Sequence, residues 1–205
     1  MAAEPDAVRE AQHARLLEGL AEAIREKGLA RVQVADIVRH ARASRRTFYK
    51  HFADKDACFV ELTDAMSGFV LEQLDRAIDR EGPVERQVEQ ALEAYLALLA
   101  SDPALTRTFT SPPPDERIVA AQREGYEGVA RLMVSVLRGD SARDPGLEPV
   151  SFERAYMLVA GLHQSILRAL AREEDLGPLA AEAKALLKSA LGADPARAAR
   201  PPAAS

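Results

Sequence analysis

The sequence predicts an all-α protein of about nine helices. Three observations carry this. Ala, Leu, Glu and Arg dominate the chain, and all four favour helix. Apolar residues recur at spacings of three and four along every long stretch, and no stretch alternates as a half-buried strand would. The 205 residues are 47% hydrophobic, enough for a core and for one or two small domains, while aromatics are sparse at 5%. No internal repeat of solenoid type is present.

Residues 7–27 read as an amphipathic helix, with Leu16, Leu17, Leu20 and Ile24 on one stripe and Gly28 after the Lys27 end. A short helix fits 34–40, with Val34, Ile37, Val38 and then Ala41 facing inward. The stretch 41–43 reads as a tight turn. Ser44 is a good N-cap for a third helix over 45–51. Asp54 caps a long helix to about Arg80 that carries Phe59, Met66, Phe69, Val70, Leu74 and Ile78. Gly82 and Pro83 break it. The next helix, 84–100, is expected to bury Val88, Leu92, Tyr95, Leu96 and Leu99. Asp102 and Pro103 restart the chain, as cap and first helical turn. The segment SPPPDE (111–116) reads as a rigid loop, 115–138 as a helix, and GDSARDPGLEP (139–149) as a loop. Ser151 caps a helix to about 173, whose apolar face holds Tyr156, Val159, Ala160, His163, Ile166, Leu167 and Leu170. Gly177 and Pro178 mark a break before a last helix, 178–190. The Ala-, Pro- and Arg-rich tail 192–205 reads as disordered.

Composition excludes several classes. The N-terminal segment carries acids and no continuous apolar core, unlike a signal peptide. No apolar run approaches the roughly 20 residues of a membrane span. A single cysteine, Cys58, forms no internal disulfide and fits a reducing compartment, so a cytoplasmic location is expected. His13, His40, His51 and His163 show no metal-ligand spacing and Cys58 completes no site, so neither metal nor cofactor is expected. No nucleophile, acid–base pair or metal set clusters convincingly, which argues against an enzyme.

The net charge of −5 is unevenly spread. Between Gly28 and Phe52 stand Arg31, Arg39, Arg42, Arg45, Arg46 and Lys50 against Asp36 alone. That island carries +5 and leaves −10 for the remainder. A basic island in an acidic chain suits a polyanion, or else is a solvated face. Its densest part is ASRRTFYKHF, residues 43–52. At helical spacing Phe48 and Phe52 share one face, while Arg46, Thr47 and Lys50 project opposite, flanked by Arg45 and Tyr49. A short helix, a tight turn and a helix of this kind make a helix-turn-helix, whose second helix enters the major groove of DNA. Arg and Lys reach guanine O6 and N7, and Thr offers a methyl or a hydroxyl.

The segment VADIVRHARASRRTFYKHFADKDACF (34–59) resembles the DNA-binding part of the tetracycline-repressor (TetR) family of bacterial regulators. Ile37, Ala41, Ser44, Thr47, Phe48, Tyr49, His51, Phe52 and Lys55 match that family's pattern in register. The motif similarity covers about residues 14–60; beyond it the agreement is in architecture and length. The resemblance implies a DNA-binding domain over 1–53 and a helical ligand-binding and dimerisation domain over 54–191. It also implies a homodimer on a palindromic double-stranded operator, most often a repressor released by a small molecule. Arg45, Arg46, Thr47 and Lys50 then become candidates for base or groove contacts. Tyr49, His51 and Lys55 become candidates for phosphate contacts, with Gln33 a weaker addition. Phe69, Tyr95, Phe109, Tyr126, Met133, Met157 and His163 are candidate pocket residues. Val159, Leu162, Ile166, Leu186 and Leu187 are candidates for a two-fold helical interface.

Plainer readings stand beside these. Tyr49 is otherwise a core-edge aromatic and Lys55 a solvated lysine. Cys58 reads as a small buried hydrophobe. His163 and the aromatic and Met residues read as core, and the interface residues as intramolecular packing. A helical protein-interaction module, or a small-molecule-binding protein without operator binding, remains the alternative function; the module leaves the basic face of 45–50 unexplained. Two departures from the family pattern matter. Arg42 replaces the turn glycine, which strains a positive-φ turn by about 1 kcal/mol or else alters it. Gln33 replaces the usual Thr or Ser cap.

Overall fold

The computed structural model describes residues 3–110, 116–143 and 150–190. Within them lie nine α-helices and no strand: α1 (Ala3–Lys27), α2 (Val34–His40), α3 (Arg45–His51), α4 (Lys55–Ala77), α5 (Val84–Ser101), α6 (Pro103–Thr110), α7 (Glu116–Arg143), α8 (Phe152–Ala171) and α9 (Leu176–Ala190). A 3-10 turn, Leu29–Arg31, links α1 to α2 and was not evident from periodicity. The SPPPD stretch of the first expected loop, residues 144–149 of the second, and the tail 192–205 lie outside the described residues. Among those described, no helix is long and apolar enough to cross a membrane.

The polar caps form where side chains allow. Ser44 Oγ accepts from the Thr47 N–H at 3.0 Å, Asp54 Oδ1 from Ala57 at 2.6 Å, Asp102 Oδ1 from Leu105 at 3.0 Å and Ser151 Oγ from Arg154 at 3.2 Å. At α2 the Asp36 carboxylate accepts from the Gln33 N–H at 2.8 Å, one half of a capping box, so glutamine does not leave that helix end without a cap.

Several boundaries differ from the sequence expectation. The first four N–H groups of a helix have no intrahelical partner, so proline is tolerated in the first turn. Hence α1 begins at Ala3, ahead of Pro5, and α9 at Leu176, ahead of Pro178, with Asp175 Oδ1 accepting from Gly177 at 3.0 Å. The chain breaks at Glu173–Asp175, not at Gly177. Gly139 does not end α7, which runs to Arg143; an interior glycine costs only about 1 kcal/mol. α4 stops at Ala77, short of Arg80. Asp79 takes the turn there, with its N–H on Gln90 Oε1 at 2.9 Å and its Oδ1 accepting from Glu81 at 3.1 Å. Of the apolar face expected to be buried on α5, only Leu92 is buried; Val88, Tyr95, Leu96 and Leu99 are half-buried, as residues flanking the centre of a stripe are.

The chain forms two compact units. The first comprises 1–68 and 100–124, the second 69–99 and 125–205. In the first, Leu16, Leu20 and Ile24 of α1 pack with Ile37 of α2, Phe48 and Phe52 of α3, and Cys58, Phe59 and Leu62 of α4. Each such side chain contributes about 1.5–3 kcal/mol by leaving water. Leu105 of α6 and Ile118 of α7 join this core. Gly19 lets α2 lie directly on α1: a Cβ there would stand 2.6 Å from the Ile37 carbonyl oxygen. Lys27 pairs with Asp36 at 2.6 Å, and Glu26 receives both Arg39 at 2.5 Å and His40 at 2.7 Å. These bonds hold the Glu26 and Asp36 carboxyls below the usual range.

The turn between α2 and α3 decides how the third helix is presented. The Ala43 N–H donates to the Val38 carbonyl at 2.9 Å and the Arg42 N–H to that of Arg39 at 3.3 Å. Arg42 sits at φ 49. That is a Schellman end in which arginine occupies the left-handed position that glycine fills at least cost, a strain of about 1 kcal/mol. The expected turn is kept, not altered. The same motif closes α8 on Glu173 at φ 55, with the Glu174 N–H on the Ala169 carbonyl at 3.0 Å.

In the second unit Val84, Ala130, Leu137, Val150 and Ala155 are buried together. α9 packs on α8. Lys184 and Lys188, one turn apart on α9, both reach Glu89 Oε1 at 2.9 Å, and these bonds hold its carboxyl at about 2.

Candidate nucleic-acid interface

α3 is two-sided. Phe48 and Phe52 are buried in the first unit, their rings 5.4 Å apart. Arg45, Arg46, Tyr49 and Lys50 are exposed, Tyr49 at 59% with its ring edge-on to that of Phe48. Among the described residues none of Arg45, Arg46 and Lys50 has a carboxylate partner, whereas Arg25, Lys27 and Arg39 on α1 and α2 are each paired with one. A cation without a counter-charge on a protein surface is available to a polyanion. The remaining candidates are placed differently. Thr47 is half-buried and its Oγ1 lies 2.9 Å from Ser44 Oγ, so its hydroxyl serves the cap.

His51 is half-buried, with its ring 5.7 Å from that of His13. Burial first, then His13, pushes its pKa down, so at neutral pH it offers a ring N–H rather than a charge. Lys55 Nζ donates to the Leu29 carbonyl at 3.1 Å, which ties α4 to the 3-10 turn. Gln33 is exposed at the start of α2. Residues that sequence reasoning did not single out stand beside the turn. Gln12 and Arg15 of α1 line a cleft of about 170 Å³ with Arg42, Ser44 and Thr47. The signal was Gly19: an interior glycine marks where α2 crosses α1, and Arg15 lies one turn before it.

A family model described as bacterial regulatory proteins, tetR family, matches residues 16–62, which span this face and its frame. Over that stretch, 47 of the 205 residues, the chain resembles the tetR family. Solved structures share its fold. The fatty acid degradation regulator FadR from Bacillus halodurans superimposes with a TM-score of 0.70 at 17% identity, covering 86% of this chain and 94% of that one. FadR from Bacillus subtilis in complex with stearoyl-CoA gives 0.69 at 19%, covering 87% and 98%. Escherichia coli NemR in its reduced form gives 0.63 at 17%, covering 88% and 97%. Among curated proteins no sequence matches it. What these solved structures share with the chain is the fold.

The candidate pocket residues divide. Tyr95, Tyr126 and His163 come together in the second unit. The Tyr95 hydroxyl bonds His163 Nδ1, the Tyr126 and His163 rings are 4.9 Å apart, and Gln164 Nε2 reaches the Tyr126 hydroxyl at 3.4 Å. Met133 packs beside the Val84 cluster. Phe109 belongs to the first unit, stacked on Phe59 at 5.5 Å. Phe69 and Met157 are exposed, at 46% and 67%. Of the interface candidates, Ile166 and Leu187 are buried within the chain, Val159 and Leu162 are half-buried, and Leu186 is exposed. Cys58 is buried, and burial pushes its thiol up to about 12, so it is not a ready thiolate.

Burial holds the pKa of His163 down at about 4, against 6.5 when free. The unfolded chain therefore takes a proton that the folded chain refuses. Stability is full above about pH 6.5 and falls as pH drops towards 4, by up to about 3 kcal/mol. The expected result is a melting temperature that declines across that window in the wild type and declines less in His163→Gln. Equal declines in thermal melts of the two proteins would contradict the assignment.

Proposed function

We propose that this protein is a DNA-binding transcriptional regulator of the tetR kind, a cytoplasmic homodimer that represses transcription from a palindromic operator and is released by a small molecule. Residues 1–53 read DNA and 54–191 bind the effector and the second protomer. The observation that carries the reading is the exposed Arg45, Arg46, Tyr49 and Lys50 face, whose three cations have no carboxylate partner among the described residues, held outward by the buried Phe48 and Phe52. Arg46 and Lys50 meet base edges; Arg45 and Tyr49 meet phosphates on the flanks. His51 adds a neutral N–H contact, while Thr47, Lys55 and Gln33 act chiefly by fixing the frame.

Three features support the rest. Tyr95 of α5, Tyr126 of α7 and His163 and Gln164 of α8 give the second unit a group of hydrogen-bonding side chains from three helices. FadR from Bacillus subtilis, a structural relative, is in complex with stearoyl-CoA, which supports a small-molecule effector. Leu186 and Met157 leave apolar surface on α9 and α8, as an interface between two copies requires. α4 begins three residues after the C-cap of α3, so an effector that tilts α4 displaces the reading helix. Footprinting on the DNA upstream of the gene tests the reading. Two protected half-sites related by a two-fold axis are expected, their centres separated by whole helical turns of about 10 bp. A single unpaired protected segment would refute the dimer.

A further inference from the structure

We propose that Arg42 and Arg15 form a phosphate clamp beside the reading helix, gripping the DNA backbone next to the bases that α3 reads. Arg42 occupies the left-handed position of the Schellman turn at φ 49, where glycine would sit without strain. Its side chain is exposed and has no ion-pair partner among the described residues. Arg15 on α1 is likewise exposed and unpaired. The two face one cleft of about 170 Å³ that they line with Gln12, Ser44 and Thr47.

Beside Ala41 and Ala43 the lining residues are two arginines, a glutamine, a serine and a threonine, with no acidic residue among them. A guanidinium fork matches the oxygens of a phosphodiester. The cleft shares Ser44 and Thr47 with the start of α3, so a strand lying along Arg45, Arg46 and Lys50 passes over it. The neighbouring cations do not compete for this role. Arg25, Lys27 and Arg39 are engaged by Asp102, Asp36 and Glu26, and Arg31 donates to the Lys27 carbonyl at 2.9 Å. The chain thus keeps a strained arginine where glycine would fold better, and among the described residues neither it nor Arg15 has an ion-pair partner. The inference rests on the DNA-binding reading of α3 and adds α1 and the turn to it.

The test is a salt titration of affinity by fluorescence anisotropy on a duplex of mixed sequence, where backbone contacts dominate. Wild type, Arg42→Gly, Arg15→Ala and Glu173→Gly are compared. Glu173→Gly is the control, since it relieves the other left-handed non-glycine residue among those described, in the second unit. Arg42→Gly and Arg15→Ala are each expected to lower the slope of log affinity against log salt by about 0.9 per protomer. Arg42→Gly should do so while raising the melting temperature. Glu173→Gly is expected to raise the melting temperature and keep the wild-type slope. Wild-type slopes in both arginine variants, or an equal fall in slope for Glu173→Gly, would overturn the clamp. A wild type with no salt-dependent binding to any duplex would instead overturn the DNA reading on which the clamp rests.

Discussion

Replacing Arg46 and Lys50 together by alanine abolishes sequence-selective DNA binding and leaves the fold intact. Both side chains are exposed on α3 and among the described residues neither has a carboxylate partner, so their removal orphans no buried group there. Each good base contact contributes about 1–3 kcal/mol of discrimination. A dimer makes each contact twice, so even the low end, about 4 kcal/mol, is close to a thousandfold loss of affinity. The melting temperature should stay near wild type, because Phe48 and Phe52 still anchor the helix. Anisotropy titration and circular dichroism on the same preparations check both halves. An affinity within about twofold of wild type would mean that α3 does not face DNA.

Gly19→Ala destabilises the first unit although alanine is the better helix former. On propensity alone the change should add about 1 kcal/mol. The new methyl, however, would stand 2.6 Å from the Ile37 carbonyl oxygen, 2.9 Å from the Ala41 nitrogen and 3.0 Å from the Ala41 Cβ. The first two are backbone atoms at the end of α2, which cannot swing aside as a side-chain tip can. Relief requires moving α2, and with it the turn that presents α3. The expected loss is about 2–3 kcal/mol, with weaker DNA binding as a consequence. Gly68→Ala is the matched comparison. It gains the same propensity on α4 and meets nothing within 4 Å, so it should stabilise by about 1 kcal/mol. A Gly19→Ala protein that melts at or above wild type would remove α1–α2 contact as the frame of the reading head.

What was legible in the sequence was local. Ser44, Asp54, Asp102 and Ser151 cap helices because a short polar side chain reaches an N–H three residues on, and that needs no knowledge of the fold. The Phe48 and Phe52 face, and hence the opposite basic face, follow from helix periodicity alone. Pro5, Pro178 and Gly139 misled because their local cost is small where they stand, the prolines in a first turn and the glycine at an exposed position near the end of a long helix. Partition between the units was not legible. Phe109 and Tyr95 look alike as apolar aromatics on helices, yet one stacks on Phe59 in the first unit and the other bonds His163 in the second. Lys55 shows the same limit. Its place at a helix start suggested DNA, but a carbonyl 26 residues earlier in the chain takes its ammonium. Gly19 signalled a crossing but not which helix makes it, and Arg15 was silent, since its meaning comes from that other helix.

The central claim is that the outward face of α3 reads DNA. The most direct measurement is anisotropy titration of wild type and Lys50→Ala against DNA from upstream of the gene and a scrambled duplex, at two salt concentrations. The account predicts tight binding to the upstream DNA, weaker binding to the scrambled duplex, loss of affinity as salt rises, and selectivity reduced by Lys50→Ala. Equal, salt-insensitive affinity for both duplexes, unchanged by the substitution, would contradict it.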